Sequence, residues 1–393
     1  MKKLLLAVTL LLFGATAYTQ TTDSVLSLIE ANNTELKALA SELEAAKAEN
    51  MAAVALPDPE IEAAYLFGAP NSIGNRRDFS VSQSFDFATL TGANRSVAIG
   101  QNNLLGIEYK VRRAAILTEA RNLCIEVIYY NALLNEAGHR LSHAQSVADA
   151  TAEMVAAGSA SALDGNKARL NLSSAKSEVV KIELERQNLL SRLAAMNGGM
   201  AIVISTSEYE PFEGLTESFE EWYAEAEQRN PVLAYARGRV ELGRQELRRS
   251  RTAALPTLTA GYISEVVAGE SFRGICAGVS IPLWSSRRRI DSAKQAVSAA
   301  ESRAEDARTR FYAEVRAQFD RTVALGQSAA QFRQTLDEVN NAELLQEALD
   351  EGELSLLDYV VEIGIYYQTI DDCLSAERDY RLALSQLESY AME

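Results

Sequence analysis

With 393 residues, 47% of them apolar, the chain is long enough for two or three domains and a substantial core. Its 54 acidic side chains outnumber 38 basic ones, a net charge of −16 that excludes nucleic acid as a partner, because a phosphate backbone needs a basic face. Three widely spaced cysteines (Cys124, Cys276, Cys373) form no disulfide framework, and with two histidines and no Gly-rich phosphate cradle the sequence offers neither cofactor site nor enzyme chemistry.

Lys2-Lys3 precede an apolar run at 4–13, and Ala15-Thr16-Ala17 supply small residues for cleavage, so 1–17 reads as a secretory signal peptide. No later apolar run approaches the roughly 18 residues of a membrane-spanning helix, and any spanning must use another device. A helix at 24–51 ends before Leu56-Pro57, where proline's fixed φ and missing N–H discourage continuation. Strands are expected at 60–67 and 78–87, joined by the loop sequence GAPNSIGNRR. A long helix at 92–157 follows, broken at Gly158, and a return helix at 162–196 stops at Asn197-Gly198-Gly199.

The plan then repeats, offset by roughly 200 residues. AVALPDPEIEAAY is answered by RTAALPTLTAGY, VSQSFDF by VSIPLW, GSASALD by GELSLLD, and NNTELKALA by RNPVLAYA. The chain therefore reads as a tandem duplication, 18–199 and 218–393, bridged by 200–217. The second copy has a helix at 218–251, strands at 257–266 and 272–283, a long helix at 286–351 broken at Gly352, and a return helix at 355–390. The long helices carry small residues on a 3/4 spacing, such as Ala293, Val297, Ala300, Ala304 and Ala307, which suits close helix packing. At 1.5 Å per residue each would be a rod of roughly 100 Å.

The strands alternate. In DFSVSQSFDF, Phe79, Val81, Phe85 and Phe87 share one parity, and Asp78, Ser80, Ser82, Ser84 and Asp86 the other. Ile61, Ala63, Tyr65 and Phe67 alternate likewise with Glu60 and Glu62. A small soluble sheet packed on helices would show the same alternation. In an exported chain, aromatic faces opposite acidic ones point instead to tilted transmembrane strands. In lipid no sheet edge stays open, and four strands enclose nothing, so other copies must complete the barrel. Two copies give eight strands and a filled interior; three give twelve and a lumen.

This order of elements resembles the TolC-like outer-membrane efflux proteins over essentially the whole mature chain. The most specific pieces are LPTLTAGY, VSIPLWSSRRR and GELSLLDYVVEIGIYYQTIDDCLSAERDYRLALSQLE, the last similar to the heavy-metal efflux branch. The resemblance implies a mainly α fold with a transmembrane β-barrel: a homotrimer with a 12-strand barrel in the outer membrane, four strands per chain, above a long α-helical barrel in the periplasm. It also implies an inner-membrane pump and a periplasmic adaptor as partners, with small molecules or metal ions exported passively. The same architecture could serve type I protein secretion, and a periplasmic coiled-coil adaptor or scaffold with a soluble sheet is a further alternative.

By this resemblance the turns at 156–163 and 350–357, including Gly158, Ser161, Gly352 and Ser355, meet the adaptor. Asp164 and Asp358 would each become a ring of three carboxylates at the gate, favouring cations; both are equally helix-start residues favoured by the dipole. Glu60, Glu62, Asp78 and Asp86 would line the barrel lumen. Leu349 and Leu354 stand where relatives carry a Tyr and an Arg latch, so a closed state must be held otherwise. His139 and His143 are spaced i, i+4 with Glu136 one turn before, but lack a third ligand and read as packing or solvated positions rather than a metal site. Arg287-Arg288-Arg289 read either as a headgroup anchor at the barrel rim or as a solvated first helical turn.

Overall fold

The computed structural model describes residues 21–70, 73–209, 218–284, 286–339 and 341–392. The expected signal peptide at 1–17 and most of the second half of the 200–217 bridge lie outside the described residues. In chain order the elements are α1 (Thr22–Asn32), α2 (Thr34–Ala52), β1 (Glu60–Leu66), β2 (Arg76–Phe85), α3 (Phe87–Leu90), α4 (Ala93–Ala156) and α5 (Ala162–Met196). The second series is α6 (Phe219–Arg229), α7 (Pro231–Thr252), β3 (Thr257–Val267), β4 (Glu270–Ser280), α8 (Ser286–Glu338), α9 (Asn341–Asp350) and α10 (Leu356–Ser389). The two series match element for element, apart from the short α3 and the division of the last long helix. Among the described residues no helix is long and apolar enough to cross a membrane.

Each opening helix, expected unbroken at 24–51 and 218–251, is interrupted once. Asn33 separates α1 from α2 with φ −57° and ψ 123°, and Asn230 separates α6 from α7 with φ −60° and ψ 121°. Pro231 at the first position of α7 fits this break, because its missing N–H is an orphan there in any case. The second long helix, expected unbroken from 286 to 351, is α8 and α9. The break falls at Val339 in a Val-Asn-Asn run, residue types with weak helix propensity and, for Asn, side chains that compete for backbone groups.

The chain divides into two compact units, each drawing segments from both repeats. The first comprises the described residues of 1–34, 117–214 and 323–385. Its core joins Val25 and Ile29 of α1, Cys124 and Val127 of α4, and Leu193 of α5, all fully buried, with Ile202 and Ile204 laid against them. Fully burying each such aliphatic side chain contributes about 1.5–3 kcal/mol. A second cluster in this unit brings Val147 and Ala148 of α4 and Ala168 of α5 against Tyr359 and Ile363 of α10.

The second unit comprises 35–116, 215–322 and 386–393. Its helical core is aromatic: Phe219 of α6 meets Tyr312 and Phe319 of α8 edge-on at 5.4 and 5.5 Å, and Phe311 meets Tyr390 at 5.8 Å. The Arg316 guanidinium covers the Phe219 ring at 4.6 Å. This unit also holds the sheet. The four strands form one antiparallel meander in the order β1-β2-β3-β4, so β1 and β4 are its margins. Val267 and Glu270 pair across a two-residue turn in which Ala268 and Gly269 both have positive φ (49° and 94°), the primed geometry that suits strand twist.

Candidate functional site: sheet, turns and a buried arginine

Register decides what the sheet can do, because directly paired residues point to the same face. Ile61 pairs with Val81, Val81 with Tyr262, and Tyr262 with Ile275, giving one apolar row from margin to margin. Phe85, Leu258 and Val279 form a second apolar row across β2, β3 and β4, and Ala63 and Phe79 share the same face. Ile275 is 94% exposed, Ile61 71% and Val279 62%, so these apolar rows are uncovered, while Arg77, Ser264 and Arg273 bring polar groups to the same face at its hairpin end.

The opposite face carries Glu60 beside Ser82, Glu62 beside Ser80, and Asp78 beside Glu265. Arg76 ties the last two together, with its Nε at 2.8 Å from Asp78 and 3.1 Å from Glu265. Ile263 and Phe272 are apolar intruders there, while Gly261, Gly274, Cys276 and Gly278 keep it low. Glu60, Glu62 and Asp78 thus share one acidic face, as their parity required. Asp86 does not. β2 ends at Phe85, and the Asp86 carboxylate accepts from the Thr89 N–H at 2.8 Å and the Thr89 hydroxyl at 2.7 Å, capping α3. The alternation continues through Asp86 and Phe87, but the local cap captures them. β4 likewise stops at Ser280, short of Ile281 and Leu283.

The two glycine turns repeat each other bond for bond. Gly158 (φ 74°) donates to the Val155 carbonyl at 3.1 Å and Ser159 to Met154 at 2.9 Å. Gly352 (φ 77°) donates to Leu349 at 3.1 Å and Glu353 to Ala348 at 2.9 Å. This pair of bonds is the Schellman closure, and positive φ is why glycine holds the turning position. Three residues on, Ser161 and Ser355 cap the next helices. The Asp164 N–H donates to Ser161 Oγ at 3.2 Å and the Asp358 N–H to Ser355 Oγ at 3.2 Å. Each serine hydroxyl in turn donates to its aspartate at 2.6 Å. The Ser161 hydroxyl holds the exposed Asp164 carboxyl below the usual carboxylate range, against a smaller opposing effect of desolvation.

Sequence reasoning missed a third constellation, in the first unit. Arg140 of α4 is nine-tenths buried and grips Asp371 of α10 through both nitrogens, at 2.6 and 2.9 Å, while also donating to the Tyr367 carbonyl at 3.0 Å. Burial works against its charge, but the Asp371 pairing outweighs it and raises the Arg140 pKa above its ordinary value. One turn on, His143 Nε2 lies 2.5 Å from the Tyr359 hydroxyl and 3.1 Å from Gln346 Oε1, and Nδ1 lies 3.3 Å from the Tyr367 hydroxyl. His139 is exposed, and no group of three or more metal-ligating side chains occurs among the described residues. The arginine and histidine line a cavity of about 280 Å³. The only signal in the sequence was an arginine on the apolar face of a long helix; its partner lies 231 residues away.

No family model and no curated protein sequence matches the chain. Solved structures do. CusC, described through its folding and transmembrane channel formation, aligns with a TM-score of 0.79 at 13% identity over 94% of this chain and 92% of that one. The Campylobacter jejuni CmeC outer membrane channel aligns at 0.75 and 16% identity, over 94% and 85% of the two chains. The outer membrane protein VceC of Vibrio cholerae aligns at 0.74 and 15% identity, over 94% and 96%. The chain has the fold of these TolC-like outer-membrane channels.

Proposed function

We propose that this chain is the outer-membrane channel subunit of a tripartite efflux system, a passive conduit through the outer membrane and periplasm. One observation carries the reading: a four-stranded sheet crossed from margin to margin by an uncovered apolar row on one face, with an acidic opposite face and two unpaired edges. Exposed isoleucines and phenylalanines at this density are costly in water and favourable in hydrocarbon. In hydrocarbon an unpaired edge strands its N–H and C=O groups at several kcal/mol each, so β4 of one copy must pair with β1 of the next. Three copies give twelve strands and a water-filled lumen lined by Glu60, Glu62, Asp78 and Glu265. The two repeats, 18–199 and 218–393, then supply two staves each.

The turns at Gly158–Ser161 and Gly352–Ser355 form the periplasmic tip that meets a periplasmic adaptor, itself joined to an inner-membrane pump. Around a three-fold axis Asp164 and Asp358 become two carboxylate rings that favour cations. The cargo is small molecules or metal ions, driven by the pump; this chain contributes no chemistry. Within each copy, the Arg140–Asp371 grip and the His143–Tyr359 contact hold α4 to α10. Planar-bilayer recording tests the reading. Stable cation-preferring pores that lose preference in Asp164→Asn plus Asp358→Asn support it. A mature protein that is released by osmotic shock, stays soluble without detergent and gives no conductance contradicts it.

A further inference from the structure

We infer that the helix-proximal end of the sheet carries a basic and aromatic collar that binds the headgroups of anionic phospholipids. The inference rests on the channel reading and names the lipid chemistry that reading leaves open. The chain is strongly acidic, yet α7 carries Arg237, Arg239, Arg244, Arg248, Arg249 and Arg251 against Glu241 and Glu246. Its counterpart in the first repeat, α2, has the reverse balance, with Lys37 and Lys47 against Glu35, Glu42, Glu44 and Glu49. The same fold position is therefore built once with negative and once with positive charge, so packing does not require the arginines.

Arg244 and Arg248 are matched by Glu301 and Glu241 at 2.9 and 3.1 Å. Arg249 and Arg251, and Arg287, Arg288 and Arg289 at the start of α8, are exposed and make no ion pair among the described residues. These five unmatched cations sit at one end of the sheet. α7 leads into β3 at Thr257, β4 leads towards α8 from Ser280, and Thr257 pairs with Ser280. The Ala268–Gly269 hairpin marks the opposite end.

Between the arginines and the strands lies an exposed apolar ring of Leu255, Ile281, Leu283 and Trp284, the tryptophan 87% exposed. Trp beside Arg, directly outside an apolar β face, is the order in which a bilayer presents headgroup phosphates and acyl chains. The arginine fork matches a phosphodiester bidentately. Each arginine near an anionic surface contributes roughly a five-fold gain in affinity. The neutral and zwitterionic headgroups beside it gain far less. The occupant is therefore an anionic phospholipid of the leaflet facing the helices, recognised through its phosphate.

The test uses the full-length protein reconstituted in vesicles. Trp284 fluorescence is quenched by phosphatidylglycerol or phosphatidylcholine brominated on the acyl chain, with single-channel conductance recorded on the same preparations. Stronger quenching by the brominated phosphatidylglycerol, lost when Arg249, Arg251, Arg287, Arg288 and Arg289 are all changed to Gln and kept when all five are changed to Lys, is expected. The Gln variant should keep wild-type conductance, which shows that it still folds and inserts. Conducting wild-type protein with equal quenching by the two lipids overturns the collar alone, as does a preference abolished by millimolar glycerol phosphate at constant ionic strength. A protein that neither inserts nor conducts overturns the channel reading and the collar with it.

Discussion

Ile61 on β1 and Ile275 on β4 point to the same side from opposite margins of the sheet, joined through Val81 and Tyr262 by direct cross-strand pairing. The margins beyond them are unpaired. Lipid on that face is the condition under which the row is favourable and the margins are not, and the proposed assembly is argued from that conflict.

Ile275→Arg places a cation at mid-strand on the proposed lipid face, at a cost of about 2–4 kcal/mol per copy near the bilayer midplane. The amount of folded protein in outer-membrane fractions should fall sharply. Ser82→Arg, beside Glu60 on the other face, should insert normally and reduce cation conductance. Equal insertion of both variants would show that the two faces are not distinguished by lipid.

The cysteines provide a probe of the same faces without mutation. Cys276 shares the face of Gly261 and Ile263, and a charged, membrane-impermeant methanethiosulfonate should reach it through the lumen in inserted protein. Burial pushes the Cys124 thiol up to about 12, against a smaller opposing effect of Arg121, leaving a thiolate fraction of about 10⁻⁴ at pH 8. Cys373 is buried and raised for the same reason, so native protein should take one label per chain. Labelling of Cys124 ahead of Cys276 would contradict the placement.

How much of this was legible depended on range. Period-two alternation gave the strands and their faces, because register only aligned what parity had already sorted. The glycine turns and the aspartates at the helix starts were legible as local chemistry, whereas the Ser161 and Ser355 caps emerged only from the structure. Asp86 was misread because two local signals competed, and the three-residue reach to Thr89 won over the strand pattern. The breaks at Asn33 and Asn230 were aligned in the sequence without being recognised as breaks. Arg140 and Asp371 were beyond reach, since nothing local in either marks the other.

Those two asparagines each tie the start of their own half of the chain to its end in the same way. The Asn33 side-chain amide donates to the Met196 carbonyl at the end of α5 at 2.9 Å, and the Asn230 amide to the Tyr390 carbonyl after α10 at 3.0 Å. Both asparagines are buried. Changing either to Ala leaves a carbonyl without this partner, at a cost of about 1–3 kcal/mol. Asn230→Ala additionally removes the cap on the Val232 and Leu233 N–H groups, about 1 kcal/mol more. Thermal unfolding followed by far-ultraviolet circular dichroism in detergent should show a lower midpoint for each, and an unchanged midpoint would remove these bridges from the account.

The Ser161 hydroxyl gives the tip a pH signature. A carboxyl held below its ordinary value keeps its charge, and the stability that charge brings, above the usual carboxylate range, and loses both as pH falls through the lowered value. Ser161→Ala removes that hydrogen bond, so the cation preference proposed for Asp164 should be lost at a higher pH than in wild type. Reversal potentials measured in a salt gradient from pH 7 down to pH 3 report the midpoint. A midpoint unmoved or shifted lower in Ser161→Ala would detach Asp164 from selectivity.

The most direct measurement is the mass and symmetry of the mature protein extracted in mild detergent, by native mass spectrometry with class-averaged electron micrographs of the same sample. The account predicts three chains around a three-fold axis, each β4 margin closed on a neighbour's β1. A self-contained single chain, or a ring of any other order, would contradict it.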